Sequence, residues 1–113
     1  MSTSFDPKRS TVQDDKLAEF VNLQLSGDLT EIPGIGPAAV KTLADQGVST
    51  SFGLIGKYLM FKEEGVECVE HCDRFYLWLK AIGINSNRGS IVHSIAERLD
   101  QQFPGIYDGS LYE

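Results

Sequence analysis

The sequence predicts an all-α protein, a compact bundle of about five short helices that contains a helix-hairpin-helix element. Three observations predict it. Apolar residues recur at spacings of three and four in five separate stretches of the 113-residue chain. No stretch alternates apolar and polar residues between hairpin turns, and no internal repeat occurs. The run Pro33-Gly34-Ile35-Gly36-Pro37 joins a short apolar turn to a helical pattern that closes on Gly47.

The elements follow in order. Residues 1–13 are polar with little periodicity and read as a flexible arm. Leu17, Phe20, Val21 and Leu25 place an amphipathic helix over 14–25, ended by Ser26-Gly27. The hairpin element covers 28–47. Asp28 is positioned to cap a helical turn at 28–32, Pro37 suits the first turn of a helix, and that helix runs to about Gln46 with Val40 and Leu43 inward. A third helix is expected near 50–61, capped by Ser49 or Thr50, with Phe52, Ile55, Leu59 and Tyr58 as its apolar stripe. Gly53 and Gly56 lower its propensity and mark close packing or a bend. A charged loop at 62–67 precedes a helix over 69–82 built on Phe75, Leu77, Trp78, Leu79 and Ile82 and closed by Gly83. Asn85-Ser86-Asn87 reads as a capping cluster for a last helix at 87–102 on Ile91, Ile95 and Leu99. The helical domain thus spans 14–103. Residues 104–113 form a tail, and Phe103, Tyr107 and Tyr112 are expected either to fold back on the core or to dock on a partner.

Length and composition fit one domain. Apolar content is 42 % and charged content 23 %, ordinary values for a globular chain. No apolar run approaches a membrane span, and the N-terminus lacks the pattern of a signal peptide, so an intracellular protein without membrane insertion is expected. The formal net charge of −6 excludes coating of nucleic acid by bulk attraction. It leaves room for a local phosphate grip, because the acid is unevenly placed. Residues 62–74 hold Lys62 and Arg74 against Glu63, Glu64, Glu67, Glu70 and Asp73. Residues 80–100 hold Lys80, Arg88 and Arg98 against Glu97 and Asp100.

Hairpin chemistry carries the functional expectation. Two glycines permit sharp backbone turns, and Ile35 can anchor the turn in the core. Amides at the following helix start, with the helix dipole behind them, form an anion site. The expected donors are Gly34, Gly36, Ala38 and Ala39, since Pro37 has no N–H. Lys41 stands one turn into the helix and Lys16 on the first helix. Asn87 and Arg88, beside Ser86 and Ser90, form a second candidate phosphate site. The alternatives are a hairpin that serves packing alone and an ordinary cap with an exposed arginine. Asp28, Glu31 and Asp45 near the hairpin favour the first of these.

Cys68 and Cys72 lie four apart with His71 between them. A closed zinc site needs four ligands and only His93 remains to help, so neither a metal nor another cofactor is expected. On a helix the two cysteines share a face, yet one turn of helix rarely holds a disulfide, and they read as free thiols. Neither histidine sits in a nucleophile or metal motif, and no phosphate-loop or dinucleotide fingerprint occurs, so the chain is not expected to be an enzyme.

These residues resemble the barrier-to-autointegration factor family, small animal DNA-bridging proteins, with this chain as a divergent member. The likeness spans about residues 15–103. It rests on Phe20-Val21, Pro33-Gly34-Ile35-Gly36, the Val40 to Leu43 helix, Gly47, and the stretch Phe52 to Phe61 with Gly56 inside it. It continues through Arg74-Phe75-Tyr76-Leu77-Trp78-Leu79 to Asn85 and the last helix. The resemblance implies a homodimer that binds double-stranded DNA without sequence preference through a hairpin on each subunit, and so bridges two duplexes. It implies hairpin amides at Gly34, Gly36, Ala38 and Ala39, a DNA-contacting Lys16, and a second phosphate site at 86–90. It places Phe52, Ile55 and Gly56 near a dimer or partner interface, and implies LEM-domain-like or other nuclear protein partners and a location in nucleus and cytoplasm. The chain departs from the family at Thr42, Asn87 and Ser90, where basic residues are usual, in a longer loop at 63–71, and in its arm and tail. A protein-interaction or scaffold module of the same fold is the alternative.

Overall fold

A computed structural model describes residues 4–112. Within them five α-helices follow one another: α1 (Asp14–Asn22), α2 (Pro37–Asp45), α3 (Ser51–Met60), α4 (Cys68–Ala81) and α5 (Arg88–Gln102). Short 3-10 turns occur at Pro7–Arg9, Leu29–Glu31 and Gly109–Leu111, and no strand is present among the described residues. The Cα radius of gyration is 12.9 Å, the value expected of a compact chain of about 100 residues.

The last helix becomes the axis of the bundle. Ser90, Ile91, Val92, Ser94, Ile95, Ala96 and Leu99 are all buried, which covers more than one face of α5 and leaves it packed against both α1 and α4. On its flank, Arg98 ends α1. Its Nη1 donates to the carbonyls of Phe20 at 2.6 Å and Leu23 at 2.7 Å, and the guanidinium lies over the Phe20 ring at 5.4 Å. Carbonyls that a helix terminus leaves open are thereby satisfied. The helix stops at Asn22 rather than running to residue 25, and Leu23 is already extended.

Glu31 ties three segments together. Its carboxylate accepts from the Ser26 N–H, the Gly27 N–H at 3.1 Å and the Ser51 hydroxyl at 2.7 Å. It thus joins the α1–hairpin loop, the 3-10 turn and the start of α3. Burial alone would raise its pKa, but the bonds from Ser51, Ser26 and Gly27 outweigh that and hold it below the usual value. Asp28 caps the 3-10 turn through the Thr30 N–H at 2.9 Å, and Thr50 caps α3 through the Gly53 N–H at 3.0 Å, both in the manner their side chains favour.

Helix α3 corrects one expectation. Its inward stripe is Ser51, Leu54 and Tyr58, while Phe52 is 56 % exposed and Met60 70 % exposed. The helix is apolar on two faces, so periodicity alone could not tell which one meets the core. In α4 the buried positions are Cys68, His71, Cys72, Phe75 and Leu79, whereas Leu77 lies outward.

Described residues at both ends of the chain pack on the bundle. Phe5 is 2 % exposed; its ring packs edge-on against Tyr112 with centroids 5.4 Å apart, and its N–H donates to the Asp73 carboxylate at 2.9 Å. Tyr107 and Tyr112 fold back into the core, whereas Phe103 stays exposed. Residues 1–3 of the expected arm and residue 113 of the tail lie outside the described residues.

Replacing Phe5 with Ala removes a buried ring and is expected to cost about 3 kcal/mol in a denaturant titration; a change within about 0.5 kcal/mol means the arm is free. Replacing Glu31 with Gln is expected to cost about 1–3 kcal/mol at neutral pH. Because the folded carboxyl titrates below its usual 4.5, its contribution is present above that value and is lost as pH falls through the lowered one. The gap between wild type and Glu31→Gln therefore narrows in acid, which chemical unfolding at neutral and acidic pH reads directly.

Candidate nucleic-acid interface

The hairpin is anchored from below. Ile32 and Ile35 are buried at 0 % and 7 % exposure, and the Ile35 N–H closes the turn on the Ile32 carbonyl at 3.1 Å. Gly34 has φ of +95°, and a Cβ there would stand 3.0 Å from the Asn87 carbonyl oxygen and 3.1 Å from Ile91 Cγ1. Both the backbone angle and the close approach demand glycine. The consequence is that the hairpin sits directly on the start of α5.

Gly36 is different. Its φ of −109° and ψ of −173° suit any residue, and a Cβ there would meet nothing within 4 Å. The fold itself does not require this glycine, and its bare backbone leaves open space at the start of α2. No side chain caps that start. The first amide to be satisfied there is that of Val40, which donates to the Gly36 carbonyl at 3.0 Å. Among the described residues, the N–H groups of Gly34, Gly36, Ala38 and Ala39 have no acceptor within the chain. These are the expected donors, set at a helix N-terminus with the positive end of its dipole.

Two of the other expected residues share a cleft with Gly34, while Gly36, Ala38 and Ala39 do not line it. A cleft of about 540 Å³ runs between α1, the hairpin and the start of α5, and Lys16, Gly34 and Asn87 all line it. Lys16 is exposed. Glu19 and Glu31 line the same cleft, so Lys16 is its one basic side chain against two acidic ones. Lys41 is exposed on α2 but does not line the cleft.

The second candidate site is built differently from the expectation. Asn87 is the N-cap of α5 in the left-handed conformation, and its side chain makes no capping bond. Arg88 is drawn inward: its guanidinium lies 5.1 Å from the Tyr76 ring centroid, and Nη1 donates to the Ile84 carbonyl at 2.6 Å. The N-terminal segment crosses in front of it. The Thr11 and Ser90 hydroxyls lie 3.1 Å apart, and a Cβ on Gly89 would stand 3.6 Å from Ser10 Cα. A hollow of about 170 Å³ remains, lined by Arg9, Thr11, Asn85, Asn87 and Arg88 among others. Sequence reading missed this segment, although one large apolar residue in a polar run, Phe5, was its signal.

The residues expected at an interface lie together on the outer face of α3. Phe52 is exposed and Ile55 and Gly56 are half-buried; a Cβ at Gly56 would meet nothing within 4 Å. Phe52 and Ile55, with Leu25 and Leu99, line an open hollow of about 390 Å³. Gly56 therefore does not serve close packing inside this chain.

Cys68 and Cys72 are free thiols, both buried. His71 is fully buried and its Nε2 lies 2.6 Å from the Tyr58 carbonyl oxygen; burial pushes its pKa down. Among the described residues, no group of three or more His, Cys, Asp or Glu side chains is placed to hold a metal ion, and no helix is long and apolar enough to cross a membrane. Comparison of the chain with protein-family models, with curated proteins and with solved structures gives no match.

Proposed function

We propose that the protein binds double-stranded DNA without sequence preference, through backbone amides of the hairpin, and that it bridges duplexes as a homodimer. The observation that carries this reading is the open start of α2. Four N–H groups lack acceptors there, and Gly36 keeps the approach clear although nothing in the fold requires a glycine. Such a site takes an anion through amides and a helix dipole, so it needs few basic side chains. Phosphate contacts of this kind position a duplex without reading its bases. Lys16 and Asn87 line a cleft with Gly34 of the hairpin, and in this reading they extend the contact along one strand.

One grip of this size holds few phosphates, and a second copy doubles it. The outer face of α3, with Phe52, Ile55 and Gly56, is the surface assigned to the partner subunit. Its support is the exposed ring of Phe52 and the open space at Gly56. The resemblance to the barrier-to-autointegration factor family points the same way. It also carries the proposals of LEM-domain-like or other nuclear partners and of a location in nucleus and cytoplasm. No catalytic step belongs to this reading.

A second reading, a protein-interaction module of the same fold with weak or no DNA binding, is favoured by two observations. Arg88 is committed to Ile84 and Tyr76, and the chain carries a net charge of −6.

Gly36→Glu separates the two readings, because the added side chain fits the fold yet places a carboxylate at the amides. Wild type is expected to shift a short duplex, with affinity falling steeply between low and moderate salt and varying little with base sequence. The variant is expected to keep the helical circular dichroism and lose about tenfold or more in affinity, several kcal/mol of phosphate contact being at stake. Equal binding by both proteins refutes the amide mechanism, and no binding by either favours the interaction module. Gly56→Glu tests the dimer: it is expected to halve the mass from light scattering while leaving the monomer folded, since helix propensity rises by up to about 1 kcal/mol on losing a glycine. An unchanged mass rules out this face of α3.

A further inference from the structure

The N-terminal segment lies outside the stretch that resembles a known family, and the DNA-binding reading gives it no task. It is nevertheless the element that crosses the candidate interface. Phe5 latches one end of it. The ring is 2 % exposed and lies beside Tyr76, His93 and Tyr112, with centroids 6.4, 6.5 and 5.4 Å away. The Phe5 N–H donates to the Asp73 carboxylate. The chain then makes the 3-10 turn Pro7–Arg9. There the Asp6 carboxylate accepts from the Lys8 N–H at 2.9 Å and lies 3.5 Å from Arg9 Nη2. The backbone next runs over the start of α5. A Cβ on Gly89 would stand 3.6 Å from Ser10 Cα and 4.0 Å from the Arg9 carbonyl oxygen. The crossing ends at Thr11, whose hydroxyl is 3.1 Å from that of Ser90, a residue only 4 % exposed.

This crossing divides the surface beneath it. Thr11, Asn87 and Ser90 line both the cleft that holds Lys16 and Gly34 and the smaller hollow that holds Arg9 and Arg88. The two spaces are therefore neighbours with a shared wall, and Thr11 is the arm's part of that wall. The arm itself offers a phosphate little. Arg9 is paired with Asp6, and the Thr11 hydroxyl is taken up by Ser90. What the arm adds is backbone bulk and a carbonyl oxygen at the place where a nucleic-acid strand leaving the cleft would pass.

We propose that residues 5–12 are an autoinhibitory strap over the DNA-binding face. Closed, the strap confines a duplex to the hairpin and its cleft. Open, it lets cleft and hollow join into one trough that runs from Lys16 and Gly34 past Asn87 to Arg88, and the duplex backbone makes a longer contact. The proposal rests on the DNA-binding reading, whose site the strap regulates. An end segment suits this task, because it can leave the surface without unfolding the helices that follow it. A contact that forms only in the open fraction is weakened by that fraction, so forcing the strap open strengthens binding and locking it shut weakens binding.

The test compares full-length proteins that differ in the state of the strap. In Ser10→Cys/Gly89→Cys the two positions are close enough to be joined by a disulfide. Oxidation locks the strap and a reductant frees it. Phe5→Ala removes the latch. Affinity for a short duplex is measured at low salt for the locked protein, the same protein reduced, wild type and Phe5→Ala. The expected order is Phe5→Ala tightest, wild type and the reduced double variant next, and the locked protein weakest, with about threefold or more between the extremes. Equal affinity in all states overturns the strap and leaves the hairpin grip standing. Weaker binding on release also overturns it, because the arm then contributes to the contact. No duplex binding in any state refutes the DNA-binding reading and the strap with it. Either comparison decides alone if the other variant fails to fold or to cross-link.

Discussion

The contact between Gly34 and the start of α5 is the constraint on which the proposed site depends. A backbone angle closed to most side chains and an approach that a Cβ would block both fall on this one residue. Because the hairpin rests on Asn87 and Ile91, Gly34 and the start of α5 are held together, with Lys16 of α1 on the same cleft. Ile32 and Ile35 fix the hairpin from the core side, and Glu31 fixes the loop that leads into it. The geometry of the open amides is therefore set by packing before any ligand arrives, which reduces the ordering cost of binding.

The two glycines of the hairpin divide the labour between fold and function. Gly34 is explained completely by the chain's own structure. Gly36 has no such explanation inside the chain, which is why the proposed phosphate grip is placed there. Gly56 likewise faces open space, since a Cβ there would meet nothing within 4 Å. Gly36 and Gly56 lie at the surfaces proposed for the phosphate grip and the dimer face.

Much of the fold was legible in the sequence because helix periodicity, capping residues and glycine stops are local signals. The five helices, the Asp28 and Thr50 caps and the hairpin are all read from neighbouring residues. Legibility ended where a choice depended on distant partners. Helix α3 offers two apolar faces, and only the assembled bundle puts Leu54 and Tyr58 inward. Arg98 shortens α1 by donating to carbonyls 75 and more residues away in the sequence. Phe5 lies in a polar run, and its burial depends on Tyr112 and Asp73, at the other end of the chain and on α4. Of the residues read as a site, Lys16, Gly34 and Asn87 line one cleft, whereas Lys41 does not. Arg88 did not stay free, because the Tyr76 ring and the Ile84 carbonyl compete for its guanidinium.

The acidic balance of the chain makes a bulk electrostatic grip untenable, so the account rests on four backbone amides. The most direct measurement is amide chemical shifts during titration with a short duplex of mixed sequence. The account predicts that the largest movements fall on Gly34, Gly36, Ala38 and Ala39, with smaller ones at Lys16 and Asn87, and that they reverse when salt is raised. Shifts confined to the outer face of α3, or absent from the hairpin at saturating duplex, would contradict it.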